Sequence, residues 1–212
     1  VNPTAVIDES GAVLVNGAPT FIAQAGQPVN FSGRSTDPGS DDLNLSWDWG
    51  DGPPTPDVST IYLVNPPTPD PFPSPTIQPR DVTDMKTHAF GQACFYVITF
   101  AARDDDNGTA SDQANVIIVG NSRNTRSAGY WQHQYRGNGK IDFSQTTLNC
   151  YLAIVGYMSQ VFNEVRDAST IPAVFGVLFP GGNKGNMTEI LDRQLLAVWL
   201  NFANGAIGYT QL

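Results

Sequence analysis

Histidine is nearly absent from this chain, and cysteine with it: two of each among 212 residues. Two histidines leave few neutral-pH bases for acid–base or nucleophilic catalysis. They also leave little from which to build a zinc site, and neither stands at finger-like spacing from a cysteine. No Gly-x-Ser-x-Gly, His-Glu-x-x-His or phosphate-loop pattern occurs. Long hydrophobic runs are missing too, and stretches such as VIIV (116–119) are far too short to span a bilayer. No basic-then-apolar leader opens the chain at Val1, so a secreted protein would be seen here in processed or excised form. Basic residues are scarce in residues 1–120, 4 Lys and Arg against 15 Asp and Glu, which argues against a nucleic-acid partner.

What is present divides near residue 120. Hydrophobic residues make up 41% of the chain, enough for a core and against wholesale disorder. Residues 121–212 hold 7 Lys and Arg against 5 Asp and Glu, and 14 of the 16 prolines precede residue 121. The border falls in GNSRNTRSAG (120–129), a polar stretch of linker composition. The expected organisation is α+β: an antiparallel β-sandwich over 1–120 and a small helical domain over 121–212.

Strand periodicity carries the first assignment. In LNLSWDW (43–49), Leu43, Leu45, Trp47 and Trp49 share one face and Asn44, Ser46 and Asp48 the other. Asp51-Gly52 then supplies a turn, so the tryptophans are expected in a core. In CFYVITFAARDDDNG (94–108), Tyr96, Ile98, Phe100 and Ala102 alternate up to a turn closed by Asn107-Gly108, and ASDQANVIIV (110–119) returns. TAVID (4–8), TFIAQ (20–24) and VNFSG (29–33) are shorter candidates, giving about seven strands.

These residues resemble a known family. VNFSGRSTDPGSDDLNLSWDWGDG (29–52), THAF (87–90) and FYVITFAARDDDNG (95–108) are similar to a PKD domain, the polycystic kidney disease repeat. The resemblance runs through Ser35, Asp37 and Pro38, then Trp47 to Gly52, His88 with Phe90, and Tyr96 to Gly108. It implies an immunoglobulin-like sandwich in an extracellular protein, with no catalysis. Two places depart from the pattern. Cys94 stands where the family has Gly, and residues 53–86 form a long insertion, with 10 prolines among the 27 residues from Pro53 to Pro79. Such a segment is extended and pairs poorly with itself; a glycosylated arm, a partner-binding strap and a plain loop all fit it.

The second half reads as helix. In 143–168, Leu148, Leu152, Val155, Phe162 and Val165 form one face, while Cys150, Ile154, Tyr157 and Val161 form another. Ser144 is a suitable N-cap. In 186–206, Asn186 and Glu189 are spaced as a capping box, Gly205 is a stop, and Leu191, Leu195, Val198, Trp199 and Phe202 are the expected buried stripe. A short helix is expected over 171–179. Gly129, Tyr130 and Trp131 together with Leu200, Asn201, Ala203, Gly205 and Ala206 resemble a helical module that follows repeat domains in bacterial surface proteins; no biochemical role comes with that likeness. Tyr130, Trp131 and Tyr135 suit either a core or a sugar-stacking platform.

Candidate sites follow from these readings. An extracellular setting favours joining Cys94 to Cys150, against two separate buried thiols. The PKD resemblance implies calcium at Asn2, Asp37 and Asp104, with Asp48 as a further ligand. Asp41, Asp42 and the run 104–107 add hard oxygen donors, although Asp equally caps turns. Asn44 and Asn107 lead the glycosylation sequons, with Asn30 and Asn186 behind them. His88 fills a structural position in the family pattern, and His133 suits packing or a surface hydrogen bond. The expected function is a non-catalytic, extracellular structural protein, a subunit of a surface appendage, filament or adhesive assembly. Its partners would be further copies, other surface proteins or polysaccharide, with no membrane span and calcium as the one cofactor. The alternative is an accessory polysaccharide- or protein-binding module of a larger secreted hydrolase.

Overall fold

The computed structural model describes residues 1–53, 56–63, 79–162, 167–181 and 186–212. Nine strands come first: β1 Val6–Ile7, β2 Val13–Val15, β3 Ala18–Gln24, β4 Val29–Asp37, β5 Leu43–Asp48, β6 Val58–Tyr62, β7 Arg80–His88, β8 Cys94–Asp104 and β9 Thr109–Val119. Four α-helices follow among the described residues: α1 Ala128–Arg136, α2 Gln145–Met158, α3 Ile171–Leu178 and α4 Met187–Ala203. The strands form two sheets, ordered β1-β4-β7 and β2-β3-β9-β8-β5-β6. The architecture is therefore α+β, a sandwich followed by helices. Among the described residues no helix is long and apolar enough to cross a membrane. Strand β6 and most of β7 lie inside the stretch read from sequence as the 53–86 insertion. Residues 64–78 and 54–55, which hold most of its prolines, fall outside the described residues.

Contacts divide the chain into two units. One comprises Val1–Phe21, Pro28–Ala89 and Tyr96–Val116; the other comprises Ile22–Gln27, Phe90–Phe95 and Ile117–Leu212. Strand-to-helix passage occurs near residue 120, and the ends of β3, β8 and β9 group with the helices.

In the first unit the expected alternation holds. Leu43, Leu45 and Trp47 are fully buried and Trp49 nearly so. The two indoles stack at 5.2 Å, Trp47 meets Phe100 at 4.6 Å, and Phe31 meets Trp49 at 5.3 Å. Each such side chain contributes roughly 1.5–3 kcal/mol by leaving water. Gly33 is required here, because a Cβ on it would sit 2.8 Å from the Phe100 ring. A carboxylate is buried against Trp47. Asp84 on β7 accepts from Trp47 Nε1 (2.8 Å), Tyr62 Oη (2.7 Å) and Lys86 Nζ (2.8 Å). Burial alone would raise its pKa; these donors outweigh that and lower it. In turn, burial and the neighbouring Asp84 push Tyr62 up to about 12. Donors from β5, β6 and β7 thus converge on one charge, so its desolvation cost is offset by hydrogen bonds between the sheets.

In the second unit the capping signals are realised. Ser127, Ser144, Thr170 and Asn186 each accept from a backbone N–H in the first turn of α1, α2, α3 and α4, and Asn186 with Glu189 completes a capping box. The core holds Trp131, Ile154, Val155, Val174, Leu196 and Leu200, all fully buried. Trp131 stacks on Phe143 at 5.7 Å. With Trp131 and Tyr135 buried, the sugar-platform reading of the aromatic segment is corrected to core packing. The expected α4 stripe also needs correction. Leu191 and Val198 are exposed, at 65% and 41%, and Leu196, Ala197, Leu200 and Asn201 are buried instead. Asn201 decides this rotation: its Oδ1 accepts from Arg126 N (2.7 Å) and Trp131 Nε1 (3.3 Å), and its Nδ2 donates to Arg126 O (2.9 Å). A polar residue with three good partners can be buried at the expense of a leucine without them.

Two glycines explain the Asn-x-x-x-Gly ending of α4. A Cβ on Gly205 (φ +81°) would lie 1.8 Å from Gly120 O, and one on Gly120 would lie 2.5 Å from Asn204 O. The segment entering the unit and the end of α4 are thus in backbone contact, with Gly120 N donating to Ala203 O (2.8 Å) and Ser122 N to Asn204 O (3.1 Å). A disulfide joins Cys94, at the start of β8, to Cys150 on α2, with Cα atoms 4.5 Å apart. Both ends belong to this unit. The bond constrains the long unfolded loop between them, worth about 2–4 kcal/mol.

Candidate metal centre

Three strand ends and turns bring carboxylates together. Asp37 is the last residue of β4, Asp104 is the last of β8, and Asp41 lies in the turn between β4 and β5. Ligand oxygens of Asp37, Asp41 and Asp104 all fall within 4.8 Å of one another. The β5–β8 register, with Leu43 opposite Asp104, sets Asp104 beside the turn that carries Asp41.

Two of the three carboxylates are partly committed to the backbone. Asp37 Oδ1 accepts from Gly39 N at 2.6 Å, and Asp104 Oδ1 accepts from Gly108 N at 2.5 Å. These are the turn-capping bonds expected of Asp. They leave one oxygen over in a telling place: Asp37 is 1% exposed, and its Oδ2 has no hydrogen-bond partner. A buried, unpartnered carboxylate oxygen facing two other carboxylates is costly unless a cation joins them.

Glycines make the room. A Cβ on Gly108 would come 2.2 Å from Asp104 Oδ2 and 3.0 Å from Asn2 Oδ1. One on Gly39 would come 3.0 Å from Asp37 Oδ1 and 3.1 Å from both Asp41 oxygens. Asn2 therefore reaches the space beside Asp104. Burial, then the charges of Asp37, Asp105, Asp106 and Asp104, raise the Asp41 pKa. Three carboxylates and an amide oxygen are hard donors of the kind calcium takes. The residues fit that ion: Asn2, Asp37, Asp41 and Asp104 would hold it, and its charge would relieve their mutual repulsion.

Asp48 is not brought to this cluster. It lies at the opposite end of β5, opposite Thr99, and its Oδ1 accepts from Gly50 N at 2.8 Å. The strand rise separates it from the Leu43 end by roughly 16 Å. Asp41 takes its place. The signal for Asp41 was the acidic turn itself (37–42), but nothing in the sequence says which of its carboxylates turns inward.

The other candidates are dispersed. Asn44 is exposed on β5, Asn107 is exposed in the β8–β9 turn at φ +72°, Asn30 accepts from Thr87 Oγ1 (2.6 Å), and Asn186 caps α4. His88 stacks on Trp49 at 4.8 Å and lies 2.9 Å from Asp51 Oδ2. His133 is exposed, 3.4 Å from Asn138 Oδ1.

No family model matches the chain, and no curated protein does. Solved structures match at a distance. The PKD domain of an M14-like peptidase from a Thermoplasmatales archaeon is 17% identical, over 55% of this chain and 92% of that one, with a TM-score of 0.32. The CARDB domain of a Pyrococcus furiosus protein is 11% identical, over 55% and 94%, with a TM-score of 0.30. Superoxide reductase (neelaredoxin) from Ignicoccus hospitalis is 13% identical, over 56% and 80%, with a TM-score of 0.29.

Proposed function

We propose that this chain is a non-catalytic, extracellular structural protein that assembles with further copies of itself at a cell surface, its sandwich locked by calcium. The disulfide supports an oxidising, extracellular setting. The carboxylate cluster supports calcium, which such settings supply.

One observation carries the assembly reading. β7 is nine residues long, matched residue for residue to β4 on one side from Val29–His88 to Asp37–Arg80, and no described strand lies on its other side. A long open edge is a template for strand addition. Its outer surface carries Met85 at 71% exposure, opposite Ser32. Met85 gives the middle of this edge an exposed apolar contact, although charged residues, Asp81 and Lys86, stand on the same strand.

The test is electron microscopy and sedimentation of the native, non-reduced protein beside a Met85→Lys variant. Ordered filaments or sheets from the native protein, lost in the variant at unchanged melting temperature, are expected. Native protein that stays dispersed and monomeric at all concentrations would overturn the reading. If it then co-sediments with insoluble polysaccharide, the accessory-module alternative takes its place.

A further inference from the structure

We propose that the basic face of α1 and the loop after it receives the Asp-rich β8–β9 turn of a second copy of this chain, which deepens, and rests on, the assembly reading above.

The basic face is concentrated and largely unpaired. From residue 121 to 141 the chain carries Arg123, Arg126, His133, Arg136 and Lys140, and no acidic residue until Asp142. All five are exposed. Among the described residues Arg123, Arg126 and Arg136 make no ion pair, and Lys140 makes only a loose one to Asp142 at 3.6 Å. An open cleft of about 470 Å³ runs along this face, lined by Arg126, Tyr130, His133, Lys140 and Asp142.

The cleft already shows how it holds a carboxylate. Asp142 Oδ2 accepts from Tyr130 Oη at 2.7 Å, and the Arg126 guanidinium lies 4.7 Å from the Tyr130 ring centre. The Tyr130 bond above all, with Lys140 and Arg126, keeps the Asp142 carboxyl below its usual pKa. The Tyr130 hydroxyl is committed to Asp142, so Arg126 and Lys140 are the groups that receive a further acidic side chain, and one internal carboxylate leaves these two cations under-neutralised.

The complementary feature is on the same chain. The β8–β9 turn presents Asp105 and Asp106, both exposed, while Asp104 turns inward to the carboxylate cluster. The charge division seen in the sequence, 15 acidic and 4 basic residues before position 121 against 5 and 7 after it, makes the two surfaces attract between copies. Because receptor and ligand patches differ, each added copy leaves one of each free, so the contact is heterologous and open to growth unless it closes a ring.

The test uses the full chain in sedimentation velocity at about 50 and about 500 mM NaCl. Two charge-reversed variants are made, Arg126→Glu with Lys140→Glu, and Asp105→Lys with Asp106→Lys, with circular dichroism confirming native folding. Expected results are wild-type association weakened at least about tenfold by the salt step, neither variant associating alone, and association restored when the two are mixed. If wild type associates and both variants do so equally well, the charge contact is overturned while the assembly reading stands. If the wild type binds an anionic polysaccharide through the basic face but never itself, the second copy is the wrong occupant. Wild type that is monomeric in every condition removes both readings at once.

Discussion

The two units of this chain are held together by different means. The sandwich unit relies on side chains: stacked indoles, a buried carboxylate with three donors, and an acidic cluster suited to a cation. The helical unit relies on the backbone and a covalent bond: four capped helices, a glycine-to-glycine contact and the Cys94–Cys150 disulfide. The first kind of stability varies with pH through Asp84, and the proposed calcium would add to it. The second tolerates almost no added volume where Gly205 meets Gly120.

The largest effect that would expose this contrast is Trp47→Ala. It empties a fully buried site and strips Asp84 of a donor, so a loss of about 3–5 kcal/mol is expected. Urea unfolding followed by tryptophan fluorescence measures it, and a loss below about 1 kcal/mol would mean that the indole stack is not central.

Next comes Gly205→Ala. The left-handed backbone and the contact with Gly120 O together predict about 2–4 kcal/mol. Gly137→Ala is its control. It has the same hand (φ +72°) but nothing within 4 Å, so only about 1–2 kcal/mol is expected. Equal losses in thermal melts would show that conformation alone matters and that the close approach does not.

Calcium should act on the sandwich unit. At saturation near one hundred times its dissociation constant it would add about 2.7 kcal/mol. Asp37→Asn and Asp104→Asn should abolish the rise in melting temperature that calcium produces over chelator, while Asp48→Asn should leave it intact. Loss of the calcium response in Asp48→Asn would move the site to the other end of β5.

The smallest effect is the acid response. Asp84 has a folded pKa below its ordinary 3.8, so its stabilisation is fully present above about pH 4 and drains away as pH falls through the folded value. Asp84→Asn should be less stable than wild type at pH 6, and the gap should narrow by pH 3, as denaturant midpoints would show. A gap independent of pH would remove the carboxylate from the account.

Much of this fold is legible from one sequence. The period-two run at 43–49, the Asn107-Gly108 turn and the Asn186–Glu189 capping box are local signals, and each finds its expected element. β6 and β7 escape a reading by pattern because β6 is a short run among prolines and β7 mixes charged and apolar residues, so each is fixed by pairing with β5 or β4. The exposed stripe on α4 was misread for a related reason: hydrophobicity ranks Leu191 above Asn201, and only the bonds to Arg126 and Trp131 reverse that order. The candidate metal centre was half legible. Asp37, Asp104 and Asn2 were marked by a family pattern, whereas Asp41 rather than Asp48 completes the cluster because of strand register.

What the sequence determines by itself is therefore local and periodic: which residues alternate, where helices begin, where turns demand glycine, and how charge divides at residue 120. Those depend on neighbours a few positions away, and the physics of alternation and capping acts over that range. The tertiary structure alone decides which carboxylates meet, which face of α4 is buried and which strand edge stays open. Each of these depends on atoms far apart in the chain arriving within a few ångströms, and no pattern of neighbouring residues encodes that distance.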